Sequence, residues 1–179
     1  MVAKVIFVTG EMGTGKTSVS QQMSKQLGWR LCSIDALRKE IAGDTSLAWQ
    51  SVWTNIQDGV SIVVDATGAS PFFHLIRRRC GHLQIPTTVI RLLRKEASGP
   101  EQSSPKELIK LHRGGPSRSY IKLSIRGIDA DITLDTTTLA PAQAASLLLQ
   151  TISTNTMQCS KVSSEEPWAI TRTSGWRPR

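Results

Sequence analysis

The nine residues "GEMGTGKTS" (10–18) decide how this chain is read. Three glycines, a lysine and several hydroxyls in so short a run are either a loose turn or a cradle for an anion. The flanking residues separate the two. Ahead of the run, "KVIFVT" (4–9) is short, apolar and β-branched, the pattern of a buried strand ended by glycine. Behind it, residues 15–27 place Val19, Met23 and Leu27 on one helical face, and Gly28 supplies a stop. Gly10, Gly15, Lys16 and Thr17 therefore meet the spacing G-x-x-x-x-G-K-[ST] between a strand and a helix. Each part has a physical use. Glycines allow the backbone N–H groups to turn inward around a phosphate. The helix start adds donors and a favourable dipole. Lys16 bridges terminal phosphates, and the Thr17 hydroxyl suits Mg²⁺. The spacing predicts nucleotide binding by Gly10, Glu11, Met12, Gly13, Thr14, Gly15, Lys16, Thr17 and Ser18.

The rest of the chain repeats the alternation of strand and helix. "RLCSI" (30–34) reads as a second strand, with Asp35 opening a short helix closed by Gly43. A helix is expected over 46–58, with Trp49 and Trp53 one turn apart. "VSIVVDA" (60–66) reads as a third strand, and its consecutive apolar residues suit a parallel strand covered on both faces. A helix starting at Pro71, a strand at 87–93, a strand at 131–135 and a helix at 140–152 follow. The pattern predicts an α/β fold, a parallel five-stranded sheet flanked by helices, with ligands beyond the C-terminal strand ends. The Gly10 loop, Asp35 and Asp65 all fall there. Residues 96–126 fit less well: "EASGPEQSSP" and "RGGPSRS" read as loops around a short helix, "KELIKLH", which together suggest a lid.

Charge adds a second clue. The chain has 179 residues and a net charge of +8, and residues 77–126 hold twelve Lys/Arg against three acids. A concentrated basic segment attracts phosphate, on a nucleotide or on a nucleic acid. Three scattered cysteines and three scattered histidines form no disulfide framework or metal pattern. No apolar run is long enough for a membrane span or a signal peptide, so a cytoplasmic protein without membrane contact is the expectation.

Two carboxylates and an arginine complete the candidate chemistry. Asp65 ends a buried strand beside the loop, where a carboxylate can hold Mg²⁺ directly or through water. In "DALR" (35–38), Asp35 and Arg38 share one helical face. Asp35 could take the proton of an attacking hydroxyl and Arg38 could hold an anionic acceptor. Alternatively, Asp35 simply caps the helix.

These motifs resemble the P-loop kinases that act on small molecules and polynucleotide ends: shikimate, gluconate and adenylylsulfate kinases and the polynucleotide 5′-kinases. The likeness covers residues 1–153. "GEMGTGKTS" resembles their Walker A loop, "DALR" their D-x-x-R segment, and "VVDATG" their third-strand motif. "ADITLDTTTLAPAQAA" resembles their closing strand and helix. The resemblance implies a three-layer P-loop NTPase fold of the nucleoside-monophosphate-kinase type, with ATP and Mg²⁺ as cofactors. It implies a lid over 96–126 whose arginines neutralise transition-state charge, with Arg113 and Arg118 leading and Arg126 third. It also puts Thr67 beside Asp35 and Arg38 at the acceptor and Thr136 to Thr138 near the base. Residues 154–179 are then a weakly ordered tail. Three functions stay open: a small-molecule or nucleoside kinase, a polynucleotide 5′-hydroxyl kinase, and an ATP-binding regulatory module without transfer. The absence of an N-K-x-D sequence argues against a GTPase switch, although ATP is not separated from other triphosphates.

Overall fold

The computed structural model describes residues 2–94, 109–111 and 128–159. Its strands are β1 (Val5–Gly10), β2 (Arg30–Ser33), β3 (Ile62–Asp65), β4 (Thr87–Leu93), β5 (Ile109–Leu111) and β6 (Ile132–Asp135). Its helices are α1 (Lys16–Leu27), α2 (Ile34–Glu40), α3 (Thr45–Gln57), α4 (Pro71–His82) and α5 (Pro141–Cys159). The sheet order is β2-β3-β1-β4-β6-β5. The first five strands in that order run parallel, and β5 closes the edge antiparallel to β6.

Strand alternation divides the core in two. Val5, Phe7, Ile62, Val64 and Val89 belong to one apolar cluster with Trp49 and Val52 of α3 and with Phe73, Ile76 and Cys80 of α4. Ile6, Val8, Val63, Ile90, Leu92, Ile132 and Leu134 belong to the other, with Val19 and Met23 of α1 and with Ala144, Ala145 and Leu148 of α5. Period-2 side chains on β1, β3 and β4 thus face apolar layers on both sides, which is why these strands read as unbroken hydrophobic runs. Each large side chain fully buried here contributes roughly 1.5–3 kcal/mol. Phe73 meets Phe7 edge-on at 5.2 Å and Trp49 at 6.4 Å, tying α3 and α4 to the sheet.

Local signals set the helix starts. The Asp44 carboxylate accepts from the N–H of Ser46 (2.7 Å) and Leu47 (3.3 Å), capping α3. The Ser70 hydroxyl accepts from the Phe72 N–H ahead of Pro71 at the start of α4.

Three expectations are corrected. The short helix expected in "KELIKLH" is instead β5, which pairs Ile109, Lys110 and Leu111 with Leu134, Thr133 and Ile132. Its apolar–basic–apolar order has period 2, and pairing satisfies the free edge of β6, whereas a seven-residue helix has few internal hydrogen bonds to hold it. The five parallel strands expected are all present, and β5 joins them as an antiparallel edge strand. Helix α5 runs to Cys159, past the end at residue 152 expected of the closing helix. Finally, Asp35 does not open its helix. Ile34 does, Ser33 stands at the cap position, and Asp35 lies in the first turn.

Candidate functional site

The site is built where β1, β3 and β2 end side by side. Parallel register sets Asp65 opposite Val8 on one side and Ser33 on the other. The chain then turns through Glu11–Gly15 into α1. This turn needs glycine for a definite reason. At Gly10, φ is +149° and an added Cβ would lie 2.5 Å from the Leu92 carbonyl oxygen of β4. The loop therefore approaches the neighbouring strand backbone to backbone.

Inside the loop, the Glu11 carbonyl oxygen collects three donors: Lys16 Nζ at 2.8 Å, Thr14 Oγ1 at 2.9 Å and the Thr14 N–H at 3.4 Å. The lysine ammonium is thereby held within the turn. Gly15, left-handed at φ +81°, stands at the cap position of α1 with no side-chain cap. The first N–H groups of α1 have no side-chain acceptor there, unlike those of α3 and α4, and an anion is their natural partner.

Asp65 is the acidic focus. It is 5% exposed, and its Oδ2 accepts from Thr17 Oγ1 at 2.7 Å and from Ser33 Oγ at 3.2 Å. Three elements thus converge on one carboxylate: α1, β2 and β3. The set is made of hard oxygens, and Thr17 directly follows the loop lysine in the chain. These residues fit a magnesium ion, which favours oxygen ligands and retains water. The two groups the sequence assigned to metal, Thr17 and Asp65, are therefore in direct contact.

Asp35 is exposed in the first turn of α2, two residues past Ser33. Arg38 is exposed, and its Nε reaches the Gly43 carbonyl at 3.4 Å. Thr67 is half-buried just beyond Asp65. Arg113, Arg118 and Arg126 lie outside the described residues, so the lid assignment has no structural account.

Two partners of the loop come from farther along the sheet. Arg94, directly after β4, donates from Nη1 to the Gly13 carbonyl at 3.2 Å. Thr136, directly after β6, has its Oγ1 2.9 Å from the Thr14 carbonyl oxygen.

No family model matches the chain, and no curated protein sequence does. Solved structures do. An adenylylsulfate (APS) kinase from Mycobacterium tuberculosis, in complex with AMPPNP and APS, matches with a TM-score of 0.57 at 16% identity, covering 84% of this chain and 98% of that one. A gluconokinase from Sinorhizobium meliloti 1021 matches with a TM-score of 0.55 at 15% identity, covering 90% and 98%. A shikimate kinase from Aquifex aeolicus matches with a TM-score of 0.52 at 16% identity, covering 86% and 98%. The fold is that of the P-loop kinases.

Within this P-loop kinase fold, sequence reading missed Ser33 and Arg94. Ser33 could have been found by aligning the ends of the second and third strands, since parallel register puts it opposite Asp65. Arg94 is the first residue beyond β4, where the crevice rule places ligands. Trp49, by contrast, is 2% exposed core and offers no stacking platform, while Trp53 packs under the Arg79 guanidinium at 5.3 Å. No helix among the described residues is long and apolar enough to cross a membrane.

Proposed function

We propose that this chain is an ATP-dependent phosphotransferase that moves the γ-phosphate to a hydroxyl group on a small molecule or nucleoside. The observation that carries the reading is the contact between Thr17 Oγ1 and Asp65 Oδ2 beside Lys16, with Asp35 two residues from Ser33 on the same carboxylate. This reading joins the phosphate loop to the Asp65 carboxylate at the strand ends and gives the exposed Asp35 to an incoming acceptor.

In this mechanism the loop Gly10–Ser18 holds the triphosphate through backbone N–H groups. Lys16 offsets charge on the transferring group. Thr17 and Asp65 would hold magnesium, which when bound neutralises phosphate oxygens. Asp35 orients the acceptor hydroxyl and takes its proton. Arg38 and Thr67 bind the rest of the acceptor, and Arg113 or Arg118 adds charge from the lid. Such catalysis is mostly positioning and electrostatics. The related structures are similarly named for kinases of adenylylsulfate, gluconate and shikimate, which favours a small acceptor.

Transfer from γ-labelled ATP should be followed across nucleosides, sugars, hydroxy acids and 5′-hydroxyl oligonucleotides, at low and high salt. Label on a small acceptor with weak salt dependence supports the reading. Label on oligonucleotides alone, lost steeply as salt rises, would replace it with a polynucleotide kinase. ATP binding without transfer to any acceptor would leave a regulatory module.

A further inference from the structure

Gly13 and Gly15 both have φ of +81°, and among the described residues no atom beyond their chain neighbours lies within 4 Å of where a Cβ would stand at either. The peptides around Thr14 therefore owe their orientation to hydrogen bonds. Because a peptide unit is planar, fixing its carbonyl oxygen also fixes where its N–H points. The Gly13 oxygen shares a peptide plane with the Thr14 N–H, and the Thr14 oxygen with the Gly15 N–H.

Those two oxygens each receive a side chain from a different strand end. Arg94 Nη1 reaches Gly13 O at 3.2 Å, and Thr136 Oγ1 reaches Thr14 O at 2.9 Å. The same hydroxyl also lies 3.1 Å from Leu93 O, so its single proton is shared between the two oxygens, with the shorter distance to the loop. A guanidinium on a carbonyl also polarises the peptide, and the N–H at the other end of this peptide, that of Thr14, donates to Glu11 O at 3.4 Å, so the peptide is held at both ends.

We propose that Arg94 and Thr136 are positioning residues that clamp the Gly13–Thr14–Gly15 peptides of the phosphate loop for a nucleoside triphosphate. The inference rests on the nucleotide reading above but concerns residues outside the Gly10–Ser18 motif. It differs from the expectation that Thr136 faces the base, since here its hydroxyl is turned to the loop. Preorganised donors bind a polyphosphate without first losing loop entropy. Arg94, exposed beside the loop, further adds a cationic charge to a surface that must attract one.

The test uses the full chain. Backbone ¹⁵N order parameters of Gly13, Thr14 and Gly15 are measured without nucleotide, and ATP affinity is measured with Mg²⁺ by calorimetry. Arg94→Ala and Thr136→Val should each lower the order parameters, from about 0.85 toward about 0.6. Each should weaken ATP binding about 5- to 20-fold, the loss of one partly exposed hydrogen bond to the loop. Thr136→Ser should restore both readouts, and Arg94→Lys should restore part. Circular dichroism confirms that each variant is folded. Unchanged loop order in both alanine-type variants overturns the clamp, and this readout stands even if the wild type binds no ATP. Reduced order with unchanged ATP affinity overturns its role in nucleotide binding. A wild type that fails to bind ATP refutes the nucleotide reading separately.

Discussion

Two glycines of one loop should behave very differently when each is replaced by alanine. At Gly10 a Cβ would lie 2.5 Å from Leu92 O, 3.3 Å from Leu92 C and 3.0 Å from Thr14 Oγ1. The closest obstacle is backbone in a central strand, paired with Gly10 through the β1–β4 ladder. It cannot rotate away as a side chain could. Reaching an ordinary 3.4 Å contact requires about 0.9 Å of strand displacement. Overpacking of this kind costs about 1–3 kcal/mol, and the positive φ adds about 1–3 kcal/mol. A total near 4 kcal/mol corresponds to a fall in Tm of about 8–16 °C for a chain of this size. At Gly13 an alanine meets nothing within 4 Å, so only the positive φ opposes it. That costs about 1 kcal/mol, or about 2–4 °C. Thermal unfolding of both variants by circular dichroism measures the contrast. Equal shifts, or a milder effect at Gly10, would refute the claim that the loop is fixed by backbone approach to β4.

Other expectations follow from the site and the core. Lys16→Ala should reduce phosphoryl transfer at least about 100-fold while leaving Tm within about 2 °C, since the hydrogen bond its amine makes among the described residues is to a loop carbonyl; radiolabel transfer beside a melting curve tests this, and full activity would sink the phosphate assignment. Asp35→Ala should lower kcat about 100-fold or more with ATP affinity changed less than about threefold; steady-state kinetics decide it, and equal losses in both would argue against a base. Burial pushes the Cys80 thiol from 9.0 up to about 11. The folded state therefore keeps a proton that the unfolded state releases, and stability should fall as pH rises from about 9 to 11. Melting temperatures across that range should drop less for Cys80→Ala than for wild type, and identical slopes would contradict the burial argument.

How much of this was legible from residues alone follows from what each signal depends on. The Gly10–Thr17 spacing, Val19 and Met23, and the apolar runs of β1, β3 and β4 are local patterns, and each leads to the element observed. Asp65 could be placed because a carboxylate ends a buried strand. Strand β5 could not, because three residues gain their conformation from the edge of β6, a partner more than twenty residues away. Its own composition favoured a helix. Arg94 and Ser33, and the loop contact of Thr136, escaped for a similar reason. Their contacts cross the sheet from Gly13, Thr14 and Asp65, and only strand order brings them together. The cap position of α2 was misread by two residues because Ser33 and Asp35 are both good capping residues.

The destination of the terminal phosphate of ATP tests the kinase reading most directly. Phosphorus NMR of MgATP incubated with the chain and the acceptor panel follows every product at once. A kinase gives a phosphomonoester signal rising in step with ADP, dependent on one acceptor and absent in Lys16→Ala. Inorganic phosphate rising alone, or ATP left unchanged with every acceptor, would contradict it.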